Sequence, residues 1–425
     1  MSKISPISPL TDVAFVASMT ALGPFEPKPH IAVGVSGGAD SLGLLLLATR
    51  WAQSVGGRVT ALTVDHGLSF EASAIAKGLQ TTLQNYGFDS HILTNDEPAP
   101  PTGIEAFARS VRYKLLRQTC RQMGILHLLV AHTMEDQAET LLIRLGAGSG
   151  ADGLAAISPI RELPDVRLLR PLLAVPKRAV HAVVKATGLE PWSDPMNDDP
   201  KFRRVQVRQA SDSLADVGLT PERLAEAAAG FGRARQALET VAAKLIAHAV
   251  ALSPLGYAVV DRARMGAAED EVRARALARL IGAIGGRDHP PSPSRAEIAW
   301  HKLMQTDRSE SLGGCVLMPS GQRLTLCREQ RGKAAWVHLE AGGHLHWDGR
   351  FDVQAPADQE IWVRRADKQA KNLKKVPLLA TKSLPLVRLK GTETLLYPQT
   401  RDASGLKVSA FRPRISLSAP GVTVV

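Results

Sequence analysis

The sequence predicts an α/β fold: a doubly wound parallel sheet, then a helical segment and a small, basic, strand-containing C-terminal domain. Two observations carry the first part. Across the first half, short apolar runs alternate with amphipathic stretches of helical period, which is the pattern of βαβ units. The first of those runs leads straight into "SGGADS", Ser36–Ser41, and then into a leucine-rich helix. The third observation separates the rest: near Asp212 the alternation stops, and after Ser311 the pattern turns strand-like.

In order, Ile31–Ser36 is small and apolar and reads as a buried strand, with Asp40–Ser54 as its helix. Val59–Val64 is strand, Glu71–Tyr86 helix, His91–Leu93 strand and Gly103–Met123 helix. Leu126–Ala131, Glu135–Leu145, Val166–Arg170 and Lys177–Thr187 continue the alternation. Crossovers between parallel strands are right-handed. Thr220–Ser253 is one alanine-rich stretch of helical period, opened by Thr220-Pro221-Glu222, a cap followed by proline in the first turn. Helices at Asp270–Ile284 and Ser294–Gln305 follow, and "GGCVLMPSGQRLTLCRE" has hairpin character around Ser320-Gly321. There is no internal repeat. The expected domains are residues 1–215, 216–310 and 311–425.

A chain of 425 residues exceeds one ordinary core. No apolar run is long enough to cross a bilayer. Pro9 and Asp12 interrupt any signal-like N-terminal stretch. The three cysteines, Cys120, Cys315 and Cys327, form no CxxC pair, which suits a reducing cytoplasm and argues against a zinc ribbon or an iron–sulfur cluster. The net charge of +11 favours an anionic partner, nucleic acid above all. Ile361–Val425 alone holds 13 Lys and Arg against three acids, with leucines interleaved, so part of it is expected to fold into a module that meets phosphates. Aromatic residues are too scarce to suggest recognition by base stacking alone.

Ser36-Gly37-Gly38-Ala39-Asp40-Ser41 lies between a strand and a helix, where open α/β sheets bind ligands. Glycines let the backbone approach a phosphate, and the N–H groups of the next helix favour an anion. Ser36 and Ser41 add hydroxyl donors. Asp40 would repel a bare phosphate, so it is expected to act through Mg²⁺ or to orient its neighbours. The lysine of a GxxxxGK[ST] loop is missing, which disfavours γ-phosphate transfer of that type.

In this position SGGADS resembles the pyrophosphatase loop of the N-type ATP pyrophosphatase (PP-loop) superfamily, whose members cleave ATP between its α- and β-phosphates and adenylate a substrate. Lack of a cysteine near the strand ends sets aside the tRNA thiolases, and lack of a glutaminase-like Cys/His pair sets aside an amide-forming synthetase. Four further stretches, "VDHGL" (Val64–Leu68), "EAFARSVRY" (Glu105–Tyr113), "AHTMEDQAETLLIRLGAGSGADGL" (Ala131–Leu154) and "DPMNDDPKFRRVQVR" (Asp194–Arg208), complete a resemblance to the tRNA(Ile)-lysidine synthetase family over residues of about 25 to 210. Two departures stand out. The family has a histidine pair and then an aspartate pair where this chain has His132-Thr133 and Glu135-Asp136, and Val205 follows Arg204 where the family has Asn.

The resemblance implies an adenine-nucleotide alpha-hydrolase-like sheet and an ATP-dependent ligase that attaches L-lysine to C2 of cytidine 34 in the CAU anticodon of tRNA(Ile), with ATP and Mg²⁺. It implies a PP-loop catalytic domain over 1–215, with tRNA held by the helical segment and the basic C-terminus; homodimers are common in the family. The alternative is a PP-loop enzyme that adenylates another RNA base or a small carboxylate. Arg109, Arg112 and Arg204 are the candidates for the α-phosphate, since arginine suits bidentate phosphate contact. Asp136 and Glu139, three apart on one helix face, are the candidates for handling the lysine ammonium, with His132 near the adenylate and Asp40 and Asp136 for the metal. The plain readings stay beside these: Asp136 and Glu139 as an acidic face paired with Arg144, and Arg109 and Arg112 as helix-surface charges. His66 reads equally as a satisfied strand-end histidine, Arg170 and Arg208 rank below the other arginines, and Gly146, Gly148 and Gly150 mark either a mobile loop or an ordinary linker.

Overall fold

The computed structural model describes residues 8–67, 70–100, 102–163, 165–192, 203–332, 334–367, 376–389, 392–395, 406–413, 415 and 417. It forms two compact units, Met1–Arg235 and Gln236–Val425. The first unit contains α1 (Asp12–Ala21), β1 (His30–Gly34), α2 (Ala39–Ser54), β2 (Arg58–Asp65), α3 (Phe70–Asn85), β3 (Asp89–Thr94), α4 (Ile104–Gln122) and β4 (His127–Leu129). It continues with α5 (Met134–Gly146), α6 (Ala151–Leu154), β5 (Ile160–Glu162), β6 (Arg167–Leu169), α7 (Lys177–Lys185), α8 (Arg203–Gln209), α9 (Ser211–Asp216) and the start of α10 (Pro221–Ala249).

The sheet order is β3-β2-β1-β4-β6-β5. All neighbours are parallel except β5, which runs antiparallel at the edge. Successive side chains of a strand point to opposite faces, and both faces here are covered. Ile31, Val33, Ala61, Leu129 and Leu169 pack with α1, α2 and α7, while Ala32, Leu62, Leu128 and Leu168 pack with Leu116 and Cys120 of α4. Each large side chain buried this way stabilises the fold by about 1.5–3 kcal/mol. The doubly wound sheet is therefore as expected. The expectation omitted α1, α6, α8, α9 and β5: of these α6 and β5 are four and three residues long, too short to show a period.

The order reverses between β1 and β4, so the switch point lies at their carboxyl ends. One close contact brings a further helix to that spot. A Cβ on Gly43 of α2 would lie 2.4 Å from Val180 Cγ1 of α7, so only glycine lets the two helices approach this closely.

In the second unit α10 ends at Ala249, and β7 (Val250–Ser253) follows where a continuing helix was expected. β-branched Val250 and the Ser253-Pro254 turn end the helical run, and β8 (Tyr257–Asp261) returns antiparallel. After α11 (Arg262–Gly266), α12 (Asp270–Ile284) and α13 (Pro293–Thr306) come β9 (Glu310–Leu312), β10 (Cys315–Ser320) and β11 (Arg323–Arg328), with the hairpin turn at Gly321. The antiparallel order β7-β8-β11-β10-β9 has members on both sides of position 310/311. The last strands are β12 (Val337–Leu339), β13 (His344–Trp347), β14 (Phe351–Gln354) and β15 (Ile361–Arg365) and, after α14 (Leu378–Lys382), β16 (Pro385–Leu389), β17 (Thr392–Leu395) and β18 (Lys407–Val408). They form two small sheets sharing a core of Trp347, Phe351, Val353, Ile361, Val363 and Val387. Much of the basic C-terminal segment is thus folded; Lys368, Lys371, Lys374 and Lys375 lie outside the described residues. Among the described residues no helix is long and apolar enough to cross a membrane.

Candidate active site

Ser36–Ser41 leaves β1 at the switch point. Gly37 has φ +86°, which favours glycine, and its carbonyl accepts the Trp192 N–H at 3.0 Å. The Ser36 N–H donates to Ser41 Oγ at 3.2 Å, and the Ser41 hydroxyl donates to the Gly38 carbonyl at 2.9 Å, which fixes the turn from within. Gly38 caps α2 with no side-chain cap bond, and its carbonyl accepts the Ser41 and Leu42 N–H groups at 3.0 and 3.1 Å, so the N–H groups of Ala39 and Asp40 are the ones placed for an anion.

Asp40, in the first turn of α2, is held by α7. Its Oδ1 lies 2.9 Å from His181 Nε2 and its Oδ2 lies 3.8 Å from Lys177 Nζ. The same ammonium lies 3.7 Å from Asp136 Oδ1 on α5, so carboxylates from the ends of β1 and β4 meet at one cation. Thr133 and Glu135, the two residues of the first departure from the family pattern, have structural roles here. Thr133 is the N-cap of α5, and both its N–H (2.9 Å) and its hydroxyl (3.0 Å) donate to Asp136 Oδ2. Glu135 accepts the Lys177 N–H with both carboxylate oxygens, at 3.1 and 2.9 Å, and so anchors the start of α7. Burial works to raise the Asp136 pKa, but the Lys177 charge and the Thr133 donors outweigh it and hold the carboxyl below its ordinary value.

His132 stands at the end of β4. Arg170 Nε donates to its Nδ1 at 3.3 Å, so the neutral ring carries its proton on Nε2. Burial, then the charge of Arg170, pushes the His132 pKa down to about 4, with Arg109 and Arg204 acting in the same direction. Arg170 itself is buried and donates to the Ser158 carbonyl at 2.7 Å. Ranked below the other arginines from sequence, it lies beside His132, and its place at the carboxyl end of β6 is the signal that points to it. Arg109 and Arg112 are exposed on α4; the first lies over the Tyr113 ring at 5.2 Å, and Arg112 Nη2 reaches His66 Nε2 at 3.4 Å.

Glu139 is buried and paired with α8: Arg208 Nε lies 2.6 Å from Oε1, and Arg204 Nε 3.2 Å from Oε2. Arg208, ranked below the other arginines from sequence, lies in the cluster, and Glu139, a candidate for handling the lysine ammonium, is paired with two arginines. Arg144 bonds the carbonyls of Gly153 and Ala156 at 2.8 Å, so the plain reading of an acidic face paired with Arg144 does not hold. The same bonds, with Gln137 on Ile157, pin the glycine-rich connection after α5. Val205 is buried on α8, so the position where the family has Asn packs inward while Arg204 makes the polar contact. Residues 194–202 of the closing stretch lie outside the described residues.

The three cysteines are buried, and burial pushes the thiols of Cys120 and Cys327 up to about 12. Among the described residues no group of three or more His, Cys, Asp or Glu could hold a metal ion. The hard oxygen pair Asp40 and Asp136 still suits Mg²⁺, which keeps waters and binds through one or two carboxylates together with substrate phosphates.

A glycine cradle for anions at the switch point, with carboxylates and arginines gathered round it, defines a nucleotide-binding α/β protein of the PP-loop class, and residues 12–211 match the PP-loop domain. The chain is 34% identical over 346 residues to the tRNA(Ile)-lysidine synthase of Ruegeria pomeroyi, covering 80% of each chain. It is 37% identical over 307 residues to that of Methylobacterium nodulans (70% of this chain, 90% of the relative) and 30% identical over 350 residues to that of Orientia tsutsugamushi (80% and 79%). The chain belongs to the tRNA(Ile)-lysidine synthase family.

Proposed function

We propose that the protein ligates the ε-amine of free L-lysine to C2 of cytidine 34 in the CAU anticodon of tRNA(Ile), with ATP adenylating the cytidine and AMP and diphosphate as products. The observation that carries this is the meeting, at one switch point, of the Ser36–Ser41 cradle with Asp40, Asp136 and His132.

The cradle N–H groups and the hydroxyls of Ser36 and Ser41 bind the leaving diphosphate. Arg109, Arg112 and Arg204 meet charge building on the α-phosphate. Asp40 and Asp136 would hold Mg²⁺, which supplies positive charge to the phosphates when bound. His132, neutral and with Nδ1 taken by Arg170, offers Nε2–H as a donor to an oxygen of the activated base. Free lysine has a side-chain pKa of about 10.4 and must shed a proton as its nitrogen attacks C2. Asp136, kept ionised, draws the ammonium by its charge, and the proton passes to water as the nitrogen attacks, while the electron pair of the C2–O bond leaves with AMP.

The second unit and the basic C-terminal strands hold the tRNA through its phosphates. Removing residues 361–425 would strip Ile361, Val363 and Val387 from a shared core, so charge-neutral variants of Arg388 and Arg412 are the cleaner test. They should raise the KM for tRNA and flatten its salt dependence while ATP binding persists.

Protein, Mg·ATP, labelled lysine and unmodified CAU-anticodon tRNA, with a UAU variant as control, test the whole reading. Label is expected in the first tRNA alone. Label in neither tRNA, with ATP still cleaved, would turn the assignment to an adenylating enzyme with another substrate.

A further inference from the structure

The pair Asp40 and Asp136 encloses a cation that the chain supplies itself. Lys177 Nζ lies 3.8 Å from one carboxylate and 3.7 Å from the other. Its placement is built. Glu135 fixes its backbone N–H with two oxygens, and Gly43 lets α7 close on α2. The remaining carboxylate oxygens are engaged elsewhere, by His181 on Asp40 and by Thr133 on Asp136, so the two atoms nearest Lys177 are those left for a cation. Carboxylates brought together by the ends of β1 and β4 repel each other unless a positive charge neutralises them. A divalent ion on both would sit close to the ammonium, and two cations in that space exclude each other electrostatically.

We propose that Lys177 is the resident counter-ion of the metal position. It holds Asp40 and Asp136 while no nucleotide is bound and gives way to the metal when polyphosphate arrives to receive its ammonium. Divalent-metal binding is thereby made conditional on nucleotide. Lysine is suited to both partners, as a flexible point charge that pairs with carboxylate or phosphate. The inference rests on the assignment of Asp40 and Asp136 to the metal, and its test needs neither tRNA nor lysine, so it fails or stands apart from the ligase reading.

Mn²⁺ is the probe, titrated into the full-length protein and followed by electron paramagnetic resonance, with and without a non-hydrolysable ATP analogue. Without nucleotide, Lys177→Met should bind Mn²⁺ on the order of tenfold or more tighter than the unaltered protein. Adding Asp40→Asn should abolish that gain, and Lys177→Arg should behave like the unaltered protein. The analogue should bind Lys177→Met more weakly. Aminoethylation of Lys177→Cys restores an ammonium, the three native thiols being buried, and should return nucleotide-free Mn²⁺ binding to the original weak level, which excludes a folding defect as the cause. Equal Mn²⁺ affinity in Lys177→Met and the unaltered protein would overturn the proposal. So would a gain that survives Asp40→Asn, or no Mn²⁺ binding even with the analogue.

Discussion

His132 should stay neutral throughout the pH range in which enzymes of this kind work. Burial, Arg170, Arg109 and Arg204 all oppose its protonation, with Asp136 nearby on the other side, and its folded pKa falls to about 4 against 6.5 for the free group. At 1.36 kcal/mol per pH unit, that difference amounts to about 3 kcal/mol. The sign follows from proton counting. Between pH 6.5 and 4 the unfolded chain holds a proton on this ring and the folded chain does not. The contribution to stability is therefore complete above pH 6.5 and is lost as pH falls towards 4. His132→Asn offers Arg170 an acceptor near the Nδ1 position without a titrating group. The Cε1–H resonance that disappears in this variant identifies His132 in a carbon–proton NMR titration. It should not shift above about pH 5, and the unfolding free energy of the unaltered protein should fall by about 3 kcal/mol more than that of the variant between pH 7 and 4. A midpoint near 6.5 would refute the reasoning, and with it the role of His132 as a fixed Nε2–H donor.

Gly43→Ala would push α7 from α2, since its Cβ meets Val180 Cγ1 at 2.4 Å; a loss of about 1–3 kcal/mol in urea unfolding is expected, partly recovered by adding Val180→Ala. Thr133→Val removes the hydroxyl donor to Asp136 Oδ2, so the Asp136 pKa should rise and the acid limb of the rate profile move to higher pH, at a stability cost of about 1 kcal/mol. Arg208→Gln leaves buried Glu139 with Arg204 as its remaining guanidinium partner, and chemical denaturation should show a loss of about 1–3 kcal/mol.

The parallel sheet was legible because β1, β2, β4 and β6 are apolar runs buried on both faces, and SGGADS sits where the strand order reverses. Asp40, Asp136 and His132 were legible for the same reason, since they follow strand ends. Lys177 was not, because nothing in "VPKRAV" distinguishes an ammonium aimed at two carboxylates from a solvated helix charge. Its direction comes from Glu135, 42 positions earlier, and from the Gly43–Val180 contact. Arg208 was hidden in the same way: an arginine on a short helix gains meaning only when Glu139 lies 2.6 Å away. The strands β7 and β8 were masked by the alanine-rich run before them, whose helical period gives no warning that it ends at Ala249.

The account depends on the cradle at the end of β1 holding the diphosphate that leaves when AMP passes to the nucleobase. The direct measurement uses γ-labelled ATP with CAU-anticodon tRNA and no lysine, separating the products by thin-layer chromatography. Labelled diphosphate should accumulate with adenylated tRNA, and Gly37→Val, which forces a β-branched residue into φ +86°, should abolish both. Labelled orthophosphate in place of diphosphate, or full diphosphate release by Gly37→Val, would contradict it.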